Sequence, residues 1–228
     1  MRNVRFPFFY IIFLAVLFGG FFQPQSLYAY ECRDQHREIL RGRLSRGDKR
    51  YATFLKAFQL MDERNAIIVV ETGTARGGEK NFKGDGGSTI LFSEWVASHP
   101  GAHLYSVDIN KESLLKAERA IRNKSAVTFV HDDAIHFLKN FEGKIDFLYL
   151  DSYDYDYRAP RLSQQHHLKE IEAAYDKLSG SALVMIDDCA LPYGGKGKLV
   201  IEFLMSRGWN KIVDSYQVIL SRRYNRIS

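Results

Sequence analysis

Apolar residues fall along the chain in short blocks separated by polar stretches, and the blocks are of two kinds. Residues 67–70, 103–107, 127–130, 145–150 and 180–186 are compact runs rich in branched and aromatic side chains, too short for helices. Runs of this kind are what strands covered on both faces look like. Between them, residues 111–122, 134–140, 168–178 and 199–207 mix apolar and charged positions at helical spacing, and Ser88 or Thr89 offers an N-cap for a helix reaching about Ser98. Strands alternating with helices predict an α/β domain built on a mostly parallel sheet.

The start of the chain has a different pattern. Arg2 and Arg5 precede a charge-free stretch from Phe6 through Tyr30 that contains FPFFYIIFLAVLFGGFF. Residues 1–29 therefore read as membrane-directed, either a cleaved signal peptide or a retained anchor approaching the ~20 apolar residues a span requires. The cluster Arg33, Arg37, Arg41, Arg43, Arg46, Lys49 and Arg50 outnumbers the two basic residues before the stretch. For an anchor, this asymmetry puts the rest of the chain in the cytoplasm; cleavage would instead export it. Residues 30–62 are charged and helix-friendly, with Tyr51, Phe54, Leu55, Phe58 and Leu60 at near-helical spacing, and form a helical arm that packs on the sheet or caps a substrate. Residues 63–228 read as the α/β domain itself. Residues 79–87, where Gly84, Gly86 and Gly87 surround Asp85, read as a mobile inserted loop, either a lid or a solvated insertion.

Composition narrows the class. The 228 residues, 46% hydrophobic and 26% charged, suffice for one α/β domain with an appendage and exclude wholesale disorder. The net charge of +5 is concentrated between Arg33 and Arg50 and in the tail Arg222, Arg223 and Arg226. A nucleic-acid groove would array basic residues across the working face, so no nucleic-acid partner is expected; an anionic membrane surface fits the distribution better. Cys32 and Cys189 fit no metal spacing and no disulfide framework, and Cys189 reads as a buried thiol.

Candidate chemistry collects at the ends of the strand blocks. The first block ends in Glu71, followed by Gly73, Thr74, Ala75 and Gly77, a turn whose small residues let backbone approach a ligand closely. The turn lacks the Lys-Ser/Thr pair of a phosphate loop, and a carboxylate beside it suits a cationic or hydroxyl-bearing ligand better than a pyrophosphate. The E-x-G-x-A-x-G pattern after a hydrophobic strand resembles motif I of the class I S-adenosylmethionine-dependent methyltransferases. That resemblance covers roughly residues 60–221 and implies a Rossmann-like, doubly wound sheet closed by an antiparallel final strand, with residues 212–213 and 217–220 as the closing pair. It also implies that the donor's amino-acid end lies near Glu71 and Gly73, its ribose on Asp108 at the second strand end, and its adenine near Asp133. Asp133 is equally explained as the N-cap of the following helix.

Asp151 ends the fourth block and Asp187-Asp188 the fifth. Three carboxylates at neighbouring strand ends repel unless protonated or neutralised, and all-oxygen ligation is what a hard divalent ion such as Mg2+ prefers. The pattern resembles the metal-dependent O-methyltransferases of the catechol and macrolide-sugar types. By that resemblance Asp151, Asp187 and Asp188 would hold the ion, with Asp151 and either His166 or His167 serving catalysis on a small hydroxylated acceptor. Asp187-Asp188 stands where the catechol type has an Asp-Asn pair, and no lysine follows Asp151 closely. The histidines, read as preceding or opening a helix, are alternatively caps or surface residues. The PYGGKGK loop, residues 192–198, reads as a substrate-side loop or a plain turn. Competing functions are a nicotinamide-dependent oxidoreductase and a non-catalytic, membrane-tethered nucleoside-binding module. The sequence leaves the oligomeric state open.

Overall fold

A computed structural model describes residues 34–222. The hydrophobic stretch, Cys32 and the last basic residues of the tail lie outside the described residues. Seven strands form one sheet: β1 (Ile68–Thr72), β2 (His103–Asp108), β3 (Val127–His131), β4 (Ile145–Leu150), β5 (Leu178–Ile186), β6 (Trp209–Asp214) and β7 (Val218–Arg222). The order is β3-β2-β1-β4-β5-β7-β6. The first five strands pair in parallel, while β7 runs antiparallel to both β5 and β6. The helices are α1 (Tyr51–Glu63), α2 (Ser88–Ala97), α3 (Lys111–Ala120), α4 (Ala134–Asn140), α5 (Pro160–Ala174) and α6 (Lys198–Met205). Among the described residues, no helix is long and apolar enough to cross a membrane.

Consecutive strand residues point to opposite faces of a sheet. Here the neighbours Val69/Val70, Phe147/Leu148, Leu183/Val184 and Ile219/Leu220 divide between two separate buried clusters. The sheet is therefore covered on both sides, which is why its strands read as continuous apolar runs. One cluster joins the sheet to α1, α2 and helical residues 34–40; the other joins it to α4, α5 and α6. On α1, Phe54, Ala57, Phe58 and Met61 form the buried stripe, and Phe92 of α2 packs between Phe147 and Tyr149 at ring-centroid distances of 5.3 and 5.4 Å. Each ring so enclosed contributes about 2 kcal/mol of burial free energy.

From residue 34 onward the arm packs into the core on one face of the sheet. Leu40 and Leu44 are buried with α1; His36 Nε2 lies 2.8 Å from Asp62 Oδ2, and Asp62 Oδ1 lies 3.1 Å from His99 Nε2 and accepts from the Trp95 indole N–H at 3.0 Å. Burial alone would raise the Asp62 carboxyl, but the bonds from His36 and His99 outweigh it and bring it down to about 2. Two expectations are corrected. Residues 79–87 are not an open loop: they hold a 3-10 turn (Gly78–Lys80) and a helical turn (Phe82–Asp85), with Phe82 packed on the core against Gly87, whose left-handed conformation and close contact leave no room for a side chain. The helix carrying the histidines starts at Pro160, eight residues earlier than the apolar spacing suggested, because proline at the first position presets the helical φ. His166 and His167 are thus mid-helix.

Candidate active site

All the predicted carboxylates except Asp133 and Asp188 end or border the carboxyl tips of parallel strands, where ligands bind in open α/β sheets. The tips of β1 and β4 meet at Gly73. Its φ is +83°, and a β-carbon there would lie 2.5 Å from the Asp151 carbonyl oxygen, 2.7 Å from the Asp151 carbonyl carbon and 2.9 Å from Ser152 Cα. Only glycine lets the turn after β1 lie against the strand end that carries Asp151.

The turn is held by its own polar groups. Asp108 Oδ2 accepts from the Thr74 amide at 3.0 Å, and its Oδ1 accepts from the Asn110 amide at 2.7 Å. Thr89, at the start of α2, accepts from the Ala75 amide at 2.8 Å and shares a hydrogen bond with the Thr74 hydroxyl at 3.0 Å. The Gly77 amide donates to Asp85 at 2.8 Å. Glu71 is fully buried; its Oε1 accepts from Ser106 at 2.6 Å, and its Oε2 has no partner within the protein. Burial pushes Glu71 up to about 7, with the hydroxyl of Ser106 and those of nearby Thr89 and Ser88 opposing the rise. Arg76 leaves the turn and makes a bidentate pair with Asp154 at 2.9 and 2.7 Å, bridging the turn to the loop after β4.

Asp133 follows the end of β3, beside the β2 end that carries Asp108. It caps α4, its Oδ1 accepting from the His136 amide at 2.9 Å, so one oxygen of the residue expected beside adenine is engaged by the helix.

Asp151, Asp187 and Asp188 do converge, each offering an oxygen within 4.8 Å of the others. The all-oxygen chemistry suits a hard divalent ion. Yet each carboxylate is already engaged by a cation of this chain. Lys196 Nζ donates to Asp151 Oδ1 at 2.5 Å and lies 3.3 Å from Asp188 Oδ2. Arg50 grips Asp187 through Nε at 3.2 and 3.0 Å and through Nη2 at 2.9 Å, and reaches Asp188 at 3.5 Å. The Tyr216 hydroxyl donates to Asp188. The oxygens a divalent ion would take are occupied by the ammonium and the guanidinium, and an ion seated beside them would meet like charge, so the site as it stands does not fit one.

Burial raises Asp151 well above the ordinary carboxylate range, with Lys196 opposing and Asp187 reinforcing the rise. Asp188 is held below that range: burial opposes, and Lys196, Tyr216 and Arg50 prevail. Its backbone φ of +52° is left-handed, an uncommon conformation for a residue other than glycine and one that collects at working sites.

Lys196, Arg50 and Tyr216 were not legible as site residues. Lys196 sits in the glycine loop after β5, where a β-carbon on Gly195 would run into the Asp188 backbone and one on Gly197 into the Cys189 thiol. Those two glycines press the loop onto the strand end and aim the intervening lysine at the aspartates; the alternation of Gly and Lys was the available signal. Gln164 of α5 ties the same loop, donating to the Tyr193 and Gly195 carbonyls at 3.1 and 3.0 Å.

The histidines separate. His166 is part-exposed and faces Tyr153 at a centroid distance of 5.1 Å; burial lowers its pKa, so the ring is a neutral acceptor. His167 is fully buried, with Nδ1 2.7 Å from the Ser163 carbonyl and its pKa lowered by burial to about 3. Enclosure in the α5 interface takes His167 away from any acceptor. Cys189 is a buried free thiol pushed up by burial and nearby carboxylates, which suits packing rather than nucleophilic attack.

Comparison with known proteins agrees with this layout. Residues 83–189 match a family described as a methyltransferase domain. No curated protein matches the chain. Among solved structures, the chain is similar to the MycE methyltransferase of the mycinamycin biosynthetic pathway, in complex with Mg, SAH and mycinamycin VI (TM-score 0.57, 16% identity, covering 86% of this chain and 56% of that one). It is also similar to NSun6 from Pyrococcus horikoshii with SFG (TM-score 0.54, 14% identity, 74% of this chain and 51% of that one). The O-methyltransferase NovP gives a TM-score of 0.51 at 15% identity, covering 88% of this chain and 100% of that one. The chain thus spans about half the length of the first two, and at these identities the likeness is one of fold.

Proposed function

We propose that this chain is an S-adenosylmethionine-dependent methyltransferase that transfers the donor's methyl group to a hydroxyl oxygen of a small acceptor, a reading the methyltransferase-domain match over residues 83–189 supports. The observation that carries the reading is the convergence of carboxylates at adjacent strand tips, Glu71 and Asp108 on one side of Gly73 and the Asp151–Asp187–Asp188 cluster on the other. S-adenosylmethionine lies over the turn Gly73, Thr74, Ala75 and Gly77, with its amino-acid end toward Glu71, its ribose on Asp108 and its adenine toward Asp133. Each oxygen of Asp108 holds one backbone amide and keeps a further lone pair for a ribose hydroxyl.

The acceptor lies over Asp151 and Asp187. Its oxygen attacks the methyl carbon in line with sulfur; the carbon–sulfur bond breaks with its electron pair going to sulfur, and the hydroxyl proton passes to a base. Asp151 is that base, because its raised proton affinity makes it a better acceptor than an ordinary carboxylate. His166, a neutral ring beside Tyr153, is the second group able to take the proton. Most of the rate acceleration comes from alignment of acceptor, methyl and sulfur.

Thermal-shift titration with S-adenosylhomocysteine tests the reading. Ligand at about a hundred times its Kd stabilises a folded protein by about 2.7 kcal/mol, and NAD should give no shift. Asp108→Ala and Glu71→Gln should each weaken binding by roughly tenfold or more, the loss of about one charge-assisted hydrogen bond. Stabilisation by NAD alone, or unchanged affinity in both variants, would sink it.

The reading extends to location: residues 6–29 hold the chain at a membrane with the catalytic domain in the cytoplasm, where the donor is made, as the basic residues that follow suggest. An N-terminal tag should then survive maturation, and its loss with export would overturn this assignment.

A further inference from the structure

We propose that Lys196 and Arg50 are the resident countercharge of the acceptor site, standing in the role that a divalent ion plays in acidic clusters of this kind, so that this chain transfers methyl groups without one. The inference rests on the methyltransferase reading above. Lys196 is 2% exposed and Arg50 3%, while the aspartate side chains they hold keep an open edge at Asp151 and Asp188. The cations therefore lie behind the carboxylates and act through them: they are positioning residues. Two of the three N–H bonds of the ammonium are accounted for by Asp151 and Asp188, which fixes the separation of the two oxygens facing the acceptor.

The arrangement is built. Arg50 sits at the start of α1, with its Nη1 toward the Lys83 carbonyl at 3.4 Å, its side chain against Gly86 and its guanidinium over the Tyr216 ring at 4.9 Å. Lys196 is aimed by the two glycines that flank it, and its amide donates to the Asp188 carbonyl at 3.2 Å. Burying two long cationic side chains is costly unless each is paired, and here the carboxylates that pair with them are the three aspartates. A divalent ion seated among the same oxygens would have to displace the ammonium or sit beside it against like charge.

Mn2+ titration of the full-length protein saturated with S-adenosylhomocysteine, followed by electron paramagnetic resonance, tests this directly. Wild type should bind no Mn2+ in the millimolar range, and its turnover should be indifferent to a chelator. Lys196→Met, which keeps the stem and removes the charge, should gain one Mn2+ per chain, with S-adenosylhomocysteine still bound. Lys196→Gln serves if the methionine variant does not fold, and the wild-type titration decides if neither does. Stoichiometric Mn2+ binding by wild type, turnover abolished by chelation and restored by Mg2+, or folded variants that gain no site would each overturn the proposal. A wild-type protein that fails to bind S-adenosylhomocysteine counts against the methyltransferase reading instead.

Discussion

Arg50→Met is expected to lower the free energy of unfolding by about 3–5 kcal/mol, the usual cost of stranding one member of a buried ion pair. The reason is the geometry at Asp187, which is fully buried and holds the guanidinium by three contacts between 2.9 and 3.2 Å. Methionine fills most of the volume but leaves the carboxylate facing apolar surroundings. Against a typical total stability of about 5–15 kcal/mol, a loss of this size brings the protein near its threshold. Urea unfolding measures it. Arg50→Met combined with Asp187→Leu should recover most of the loss, because removing both charges also removes the desolvation cost, although Lys196 then faces two aspartates instead of three. A single variant within about 0.5 kcal/mol of wild type, the range of ordinary surface substitutions, would show that the pair is not the buried anchor described.

Gly73→Ala is expected to cut methyl transfer by roughly a hundredfold, since displacements near 1 Å in an aligned site have effects of that order. Two penalties act together. A left-handed alanine costs about 1–2 kcal/mol. Its β-carbon would also meet three backbone atoms of Asp151 and Ser152, none of which can rotate away, so the tips of β1 and β4 must part. Gly73 also donates to the Val107 carbonyl at 2.8 Å, so the shift reaches the strand that carries Asp108. Gly101→Ala separates the penalties: its φ of +86° is just as left-handed, but nothing lies within 4 Å of the added carbon. It should lose stability and keep activity. If both variants lose activity alike, close approach at Gly73 is not what matters.

The sheet was largely legible because burial on both faces writes itself as unbroken apolar runs; β4 ends where the residues 145–150 block ends, and α4 coincides with residues 134–140. The start of α5 was not legible because residues 160–167 hold one large apolar side chain, Leu162, and it is exposed, and the structure of residues 79–87 because glycines that permit tight packing look the same in sequence as glycines that permit motion. The acidic half of the site showed itself through carboxylates at strand ends. Its basic half did not, since Arg50 belongs to the helical arm, and the Gly-Lys alternation around Lys196 marks a tight loop after β5 without naming the aspartates as its partners. Only the fold brings Arg50 and Asp187 together.

That pairing joins residues 137 positions apart, while Lys196 meets Asp151 across 45. Closing so long a chain loop is entropically costly and comes after local structure has formed. During synthesis Arg50 emerges early and stays hydrated until β5 has added to the sheet and Asp187 is in place. The charge-balanced aspartate cluster is therefore among the last features to assemble, and a half-made chain carries the glycine turn after β1 without it.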